Sequence, residues 1–170
     1  MGKPMANHIQ EYASEFTVCD LNQEAAVDIL ENGGKWAETP SECAQDKDIL
    51  FMSLPMPQDV EKVCTGKDGI IESVKPGTIL LDASTNSLSM VKKLHKIFDE
   101  KGVEFLDCPV SGGVIGAINK DMSIMVGGNE STYKKIKPVL DAMGDKAIYC
   151  GPVGSGTICK LSHQLFSGLC

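Results

Sequence analysis

The chain has no basic stripe. Its net charge is −7, which argues against nucleic acid as a main partner. A small anionic substrate needs only one local cluster and stays open. No cysteine pair has the CxxC spacing, and the seven cysteines are scattered and odd in number. That pattern favours reduced thiols in a cytoplasmic protein over a disulfide framework or a zinc site. No apolar run approaches the ~18 residues of a membrane span, and no stretch reads as a signal peptide. Internal repeats and low-complexity linkers are also missing. What remains is 170 residues, 42% hydrophobic and 23% charged. This is the composition of a single soluble globular domain, long enough to bury a core.

Met1–Tyr12 reads as a helix, with Met5, Ile9 and Tyr12 at helical spacing. Phe16–Cys19 is a strand ending at Asp20, and a helix from Gln23 to Glu31 is closed by Gly33-Gly34. Buried strands are expected at Asp48–Ser53, Thr78–Leu81, Val103–Leu106, Met122–Val126 and Ala147–Tyr149. Between them, helices are expected at Gln58–Cys64, Ser87–Glu100 and Ser131–Met143. In the second of these, Met90, Leu94 and Ile97 share a face. Gly154-Ser155-Gly156 opens a last helix that runs to Cys170. Such alternation predicts an α/β fold, a doubly wound and mainly parallel sheet with helices on both faces. The chain begins on a helix, so this sheet would be built without a strand in front of that helix.

Asp107-Cys108-Pro109-Val110-Ser111-Gly112-Gly113 is the stretch around which the rest is arranged. Pro109 lacks an N–H, so the strand ladder is expected to end there. Ser111 offers a hydroxyl, while Gly112 and Gly113 offer unshielded backbone amides to a carboxylate. The same glycines also fit a tight strand–helix turn that needs them for steric reasons alone. Asp20 closes a strand 18 positions after Gly2. Dinucleotide folds place an acid there to accept hydrogen bonds from the adenosine ribose. Leu21-Asn22-Gln23 follows it, with no arginine for a 2′-phosphate, which favours NAD over NADP. An N-cap role for Asp20 fits as well. Leu54-Pro55 and Ser84-Thr85-Asn86 lie just past strand ends, where open α/β sheets bind ligands.

Lys160 is the residue best suited to chemistry. His163 and Gln164 stand three and four positions on, on the same helix face. The apolar neighbours Ile158, Leu161, Leu165 and Phe166 are expected to desolvate it and lower its pKa toward general-base range. A surface lysine laying its stem on apolar neighbours is the other reading.

Three motifs in order resemble the β-hydroxyacid dehydrogenases, the family of 3-hydroxyisobutyrate dehydrogenase and, more distantly, 6-phosphogluconate dehydrogenase. Asp107–Ala117 with Ile124–Gly128 is similar to the family's substrate signature. Gly154–Gln164 is similar to its catalytic-helix motif, and Met1–Ala6 to the tail of its glycine-rich nucleotide fingerprint. The resemblance implies a Rossmann-type fold and NAD as cofactor. Lys160 would be the general acid/base, and Ser111, Gly112, Gly113, His163 and Gln164 would hold the substrate. Met1, Gly2, Asp20, Leu54, Pro55 and Thr85 would line the NAD cleft. The substrate would be a small 3-hydroxy acid or its semialdehyde: 3-hydroxyisobutyrate-like, tartronate semialdehyde or 2-(hydroxymethyl)glutarate.

The departures matter too. Gln164 stands where Asn is frequent, His163 matches the 6-phosphogluconate branch, and Lys120 stands where a turn glycine is common. The resemblance further implies a Rossmann-type domain over 1–152 that lacks the family's first strand. Residues 153–170 would start a long helix leading to an absent all-α domain. The parent enzyme would be a homo-oligomer, and the chain alone is expected to bind NAD poorly and to turn over nothing. A catalytically silent nucleotide- or metabolite-binding module of the same fold is the alternative.

Overall fold

The computed structural model describes residues 1–168. Apolar side chains four apart make the first segment helical: α1 (Gly2–Gln10) buries Met5 and Ile9. Tyr12 falls beyond its end and is 64% exposed, so it does not share that face. β1 (Thr17–Val18) follows. The single helix expected at 23–31 is instead a 3₁₀ turn, Gln23–Ala26, running into α2 (Val27–Glu31). β2 (Lys35–Trp36) and α3 (Pro40–Ala44) were not anticipated. Two residues are too few to show alternation. The start of α3 did carry a signal: Thr39 Oγ1 accepts from Glu42 N, and Pro40 sits in the first turn.

The middle of the chain alternates regularly. β3 (Ile49–Met52), α4 (Pro57–Thr65), β4 (Ile79–Asp82), α5 (Leu88–Asp99) and β5 (Glu104–Asp107) fall within a residue or two of expectation. A 3₁₀ turn at Ile70–Glu72 comes before β4. β3 is only half buried: Leu50 and Met52 point inward, whereas Ile49 is 37% exposed. The buried face of α5 is Val91, Leu94 and Phe98, one position on from Met90 and Ile97.

Then come β6 (Val110–Ser111), α6 (Gly113–Ile118), β7 (Ser123–Gly127), α7 (Glu130–Asp141), β8 (Lys146–Gly151) and α8 (Ser155–Ser167). The expected run of the last helix to Cys170 ends outside the described residues. The parallel ladder to β4 stops at Asp107, as expected, but the antiparallel pairing to β7 runs past Pro109. Asp107 pairs Gly127, the Pro109 carbonyl accepts from Met125 N at 3.0 Å, and Val110 and Ser111 pair Ile124 and Ser123. The antiparallel register is unbroken through the proline, because this edge uses its carbonyl and needs no N–H from it.

The main sheet has six strands, in the order β3-β4-β5-β7-β6 with β8 beside β7. β3, β4 and β5 run parallel, as do β7 and β8. Side-chain alternation sends Ile79, Leu81 and Leu106 to one face, where they meet Met5, Ala117, Ile136 and Leu140 from α1, α6 and α7. Leu80 and Phe105 go to the other face and meet Val60, Val91, Leu94 and Phe98 from α4 and α5. Helices therefore cover both faces of a Rossmann-type sheet. β1 and β2 form a separate two-stranded parallel sheet, and no described strand joins β1 to β3. No described helix is long and apolar enough to cross a membrane.

Candidate active site

β4 and β5 each close on an aspartate, and parallel register sets Asp82 opposite Asp107. Asp82 is wholly buried. Its carboxylate accepts from Ser84 N at 3.0 Å and Asn86 Nδ2 at 3.2 Å, which shapes the loop bearing Thr85. Ser84 Oγ in turn accepts from Leu54 N at 2.9 Å, joining the loops after β3 and β4. Burial raises the Asp82 pKa; the bonds from Ser84 and Asn86 pull it down, and Asp107 adds to the rise. Leu54 is half-buried on this shelf, and Pro55 and Thr85 are exposed.

Asp107 is 1% exposed and holds the start of α8. It accepts from Gly154 N and Thr157 N, both at 2.7 Å, and from Thr157 Oγ1 at 2.9 Å. Burial raises its pKa as well, against those three bonds. The buried residues of α8 are Gly156, Thr157 and Lys160. Lys160 is 7% exposed, and burial alone lowers its pKa. The cause differs from the expected one. Ile158, Leu161, Leu165 and Phe166 are 51%, 43%, 64% and 70% exposed, so they do not desolvate the lysine. Lys160 instead shares the buried face of α8 with Gly156 and Thr157, the face seated against Asp107 of β5 and Met125 of β7. His163 and Gln164 lie on the exposed remainder of the helix.

Ser111 is half-buried in β6, and Gly112 and Gly113 are exposed at the start of α6. Gly112 has φ +140°, and a Cβ there would lie 3.1 Å from the Asp121 carbonyl oxygen. This glycine is sterically required. Around Gly113 a Cβ would meet nothing within 4 Å, which leaves open space over its backbone. Lys120 adopts φ +57° and so makes the turn where a glycine was anticipated; its Nζ pairs with Glu11 at 3.0 Å.

The residues present fit a dinucleotide. Met1 stands at the N-cap of α1, its side chain makes no cap hydrogen bond, and the first turn holds no acid that would oppose a phosphate. A Cβ on Gly2 would lie 3.8 Å from Ser53, at the end of β3. Asp20 is exposed beyond β1 and, among the described residues, accepts from Asn22 N alone, at 2.9 Å. The cap of the following 3₁₀ turn is Asn22 rather than Asp20, leaving the carboxylate available to hydroxyl donors.

Sequence reasoning placed Ser84 at the ligand edge without its bond to Leu54, passed over Asp82 and Thr157, and gave Asp107 no task. One signal was present. The apolar strands Ile79–Asp82 and Glu104–Asp107 both terminate in an acid, and an acid closing a buried strand needs donors.

Residues 1–151 match the NAD binding domain of 6-phosphogluconate dehydrogenase. An uncharacterized oxidoreductase of Bacillus subtilis is 38% identical over 97% of this chain and 57% of its own length. The 2-(hydroxymethyl)glutarate dehydrogenase of Eubacterium barkeri is 35% identical over 99% of this chain and 56% of its own. Among solved structures, Mycobacterium tuberculosis 3-hydroxyisobutyrate dehydrogenase with L-serine superposes with a TM-score of 0.89 at 30% identity. That match covers 98% of this chain and 56% of the other. The chain thus spans little more than half the length of the relatives it matches.

Proposed function

The chain belongs to the family of the NAD binding domain of 6-phosphogluconate dehydrogenase, and on that premise we propose that it serves an NAD-dependent dehydrogenase of small 3-hydroxy acids. Lys160 carries this reading. It is an almost fully buried lysine whose only perturbation is loss of water. A surface lysine would keep its hydration and its full charge. A desolvated one exchanges a proton near neutral pH more readily.

The dinucleotide, when bound, supplies a two-electron hydride acceptor. Uncharged Lys160 accepts the proton of the substrate hydroxyl as the carbon bearing it gives up hydride, and that carbon becomes a carbonyl. In reduction the ammonium returns the proton. Ser111 Oγ and the amides of Gly112 and Gly113 hold the substrate carboxylate, and His163 and Gln164 position the rest. An oriented carboxylate removes much of the entropic part of the barrier. Met1, Gly2, Asp20, Leu54, Pro55 and Thr85 line the cofactor cleft. Asp20 favours NAD over NADP, since its carboxylate accepts from a free ribose hydroxyl and repels a 2′-phosphate. The chain also contains no arginine to pair with such a phosphate.

In this reading residues 1–152 are the dinucleotide domain, and 153–170 open the helix leading to an all-α domain. The enzyme is a cytoplasmic homo-oligomer.

The test is substitution of Lys160 in an active enzyme of the relatives' length. Lys160→Ala should lower kcat by about 10²–10⁴ with NAD affinity unchanged. Lys160→Arg should fail also, because a guanidinium does not release its proton near neutral pH. Near-normal kcat in Lys160→Ala would return the residue to a packing role.

A further inference from the structure

Asp107 touches neither substrate nor cofactor in the reading above. Yet its carboxylate is buried and carries three short bonds, from Gly154 N, Thr157 N and Thr157 Oγ1. All the donors belong to the turn that opens α8. N–H groups in a first turn have no partners within the helix, and an anion is favoured there. Two glycines remove the slack from the same joint. A Cβ on Gly156 would lie 2.2 Å from the Met125 carbonyl oxygen and 2.7 Å from that of Asp107. A Cβ on Gly127 would lie 2.5 Å from Asp107 Oδ1 and 2.7 Å from Gly156 N. The helix is therefore seated directly on the ends of β5 and β7.

What hangs from this joint is the proposed chemistry. Thr157 and Lys160 are three residues apart and both buried on α8. On the other side of Asp107, the chain continues in unbroken register along β7 to Ser111. The helix with the lysine is held by the side chain of Asp107, and the loop with Ser111, Gly112 and Gly113 continues from its backbone.

We propose that Asp107 is the positioning residue of the site: it clamps α8 to β5 and so sets where Lys160 stands relative to Ser111–Gly113. This rests on the reading of Lys160 as the acid/base. A helix cap serving stability alone would lower the melting temperature and leave the folded fraction turning over normally. A clamp gives a different signature. Displacing a catalytic group by about 1 Å costs on the order of 10²-fold in rate. Loosening α8 also rehydrates Lys160, and burial is what lowers its pKa. The lysine then holds its proton to higher pH.

The experiment uses the active dehydrogenase at the length of its relatives, with Asp107→Asn, Thr157→Val, Thr157→Ser and Lys160→Ala. Asp107→Asn presents an amide N–H₂ to donors that need an acceptor. It should lower kcat by about 10–10²-fold, while KM for NAD changes by less than about twofold. The acid limb of kcat/KM for the oxidation should move to higher pH. Thr157→Val, which removes one of the three bonds, should do the same to a lesser degree, and Thr157→Ser should restore both rate and pH profile. If Asp107→Asn does not fold, the Val and Ser variants of Thr157 decide the matter alone. Folded variants with normal kcat and an unmoved acid limb, beside an inactive Lys160→Ala, would overturn the clamp and leave the lysine reading standing. An active Lys160→Ala would overturn the lysine reading, and the clamp with it.

Discussion

Asp82 and Asp107 are register partners at the carboxyl ends of β4 and β5, both almost fully buried, and each fixes a different side of the cleft. Asp82 orders the loop bearing Thr85, and through Ser84 it reaches Leu54. Asp107 orders the start of α8. Two adjacent parallel strands thus end in acids whose donors are the loops that follow the sheet. Open α/β sheets bind ligands on this edge.

The burial of Asp82 has a consequence for stability against pH. Its folded pKa is raised above the ordinary 3.8, chiefly by burial. The folded chain therefore keeps this proton where the unfolded chain has lost it. The group's contribution is full below the ordinary carboxylate pKa and is lost as pH rises through the raised one. Asp82→Asn has no proton to lose. The stability of the native chain minus that of Asp82→Asn, measured by denaturant unfolding, should fall as pH rises across that window. A difference independent of pH would contradict a raised pKa.

Lys160 gives the opposite sign. Burial lowers its pKa below 10.5, so the unfolded chain binds more protons than the folded one between the two values. Stability from this group rises with pH across that interval. At pH 7 the charged lysine is a net cost, because burial disfavours the protonated form. Lys160→Met should melt higher than the native chain at pH 7, and the gap should narrow as pH approaches 10.5. A lower melting temperature for Lys160→Met at pH 7 would contradict a net cost of burying this charge.

Cofactor choice is read at Asp20. In the active enzyme NAD should be preferred to NADP, and Asp20→Ala should relax that preference more than it lowers kcat with NAD. One exposed carboxylate against a 2′-phosphate accounts for about 1–3 kcal/mol, or roughly 10–10²-fold in the ratio. Equal use of both cofactors by the unmutated enzyme would remove Asp20 from the ribose site.

The repeating α/β pattern was legible from the sequence because local spacing decides which side chains can be buried together. Ile79–Leu81, Phe105–Leu106 and Ile124–Val126 are apolar runs inside their strands, and Leu88–Asp99 has helical periodicity. The loop Ser111–Gly113 and the lysine of α8 were legible because glycines and a lone lysine at fixed spacing are local features. β2 and β6, of two residues each, were not, since no period shows in so short a run. Nor was the fate of Pro109, whose carbonyl is used by Met125 on a strand reached only after α6.

The amino-acid order by itself determined the longer strands and helices and the residue types available for chemistry. Tertiary structure decided their state. Sequence neighbours of Lys160 proved exposed, and the lysine is buried on the face of α8 that carries Gly156, seated on β5 and β7. Asp107 finds its donors 47 and 50 residues away, and no local pattern announces them. Periodicity along a chain says which face will leave water. The groups that meet it there, and hence its hydration, hydrogen bonds and proton affinity, are set by segments distant in sequence.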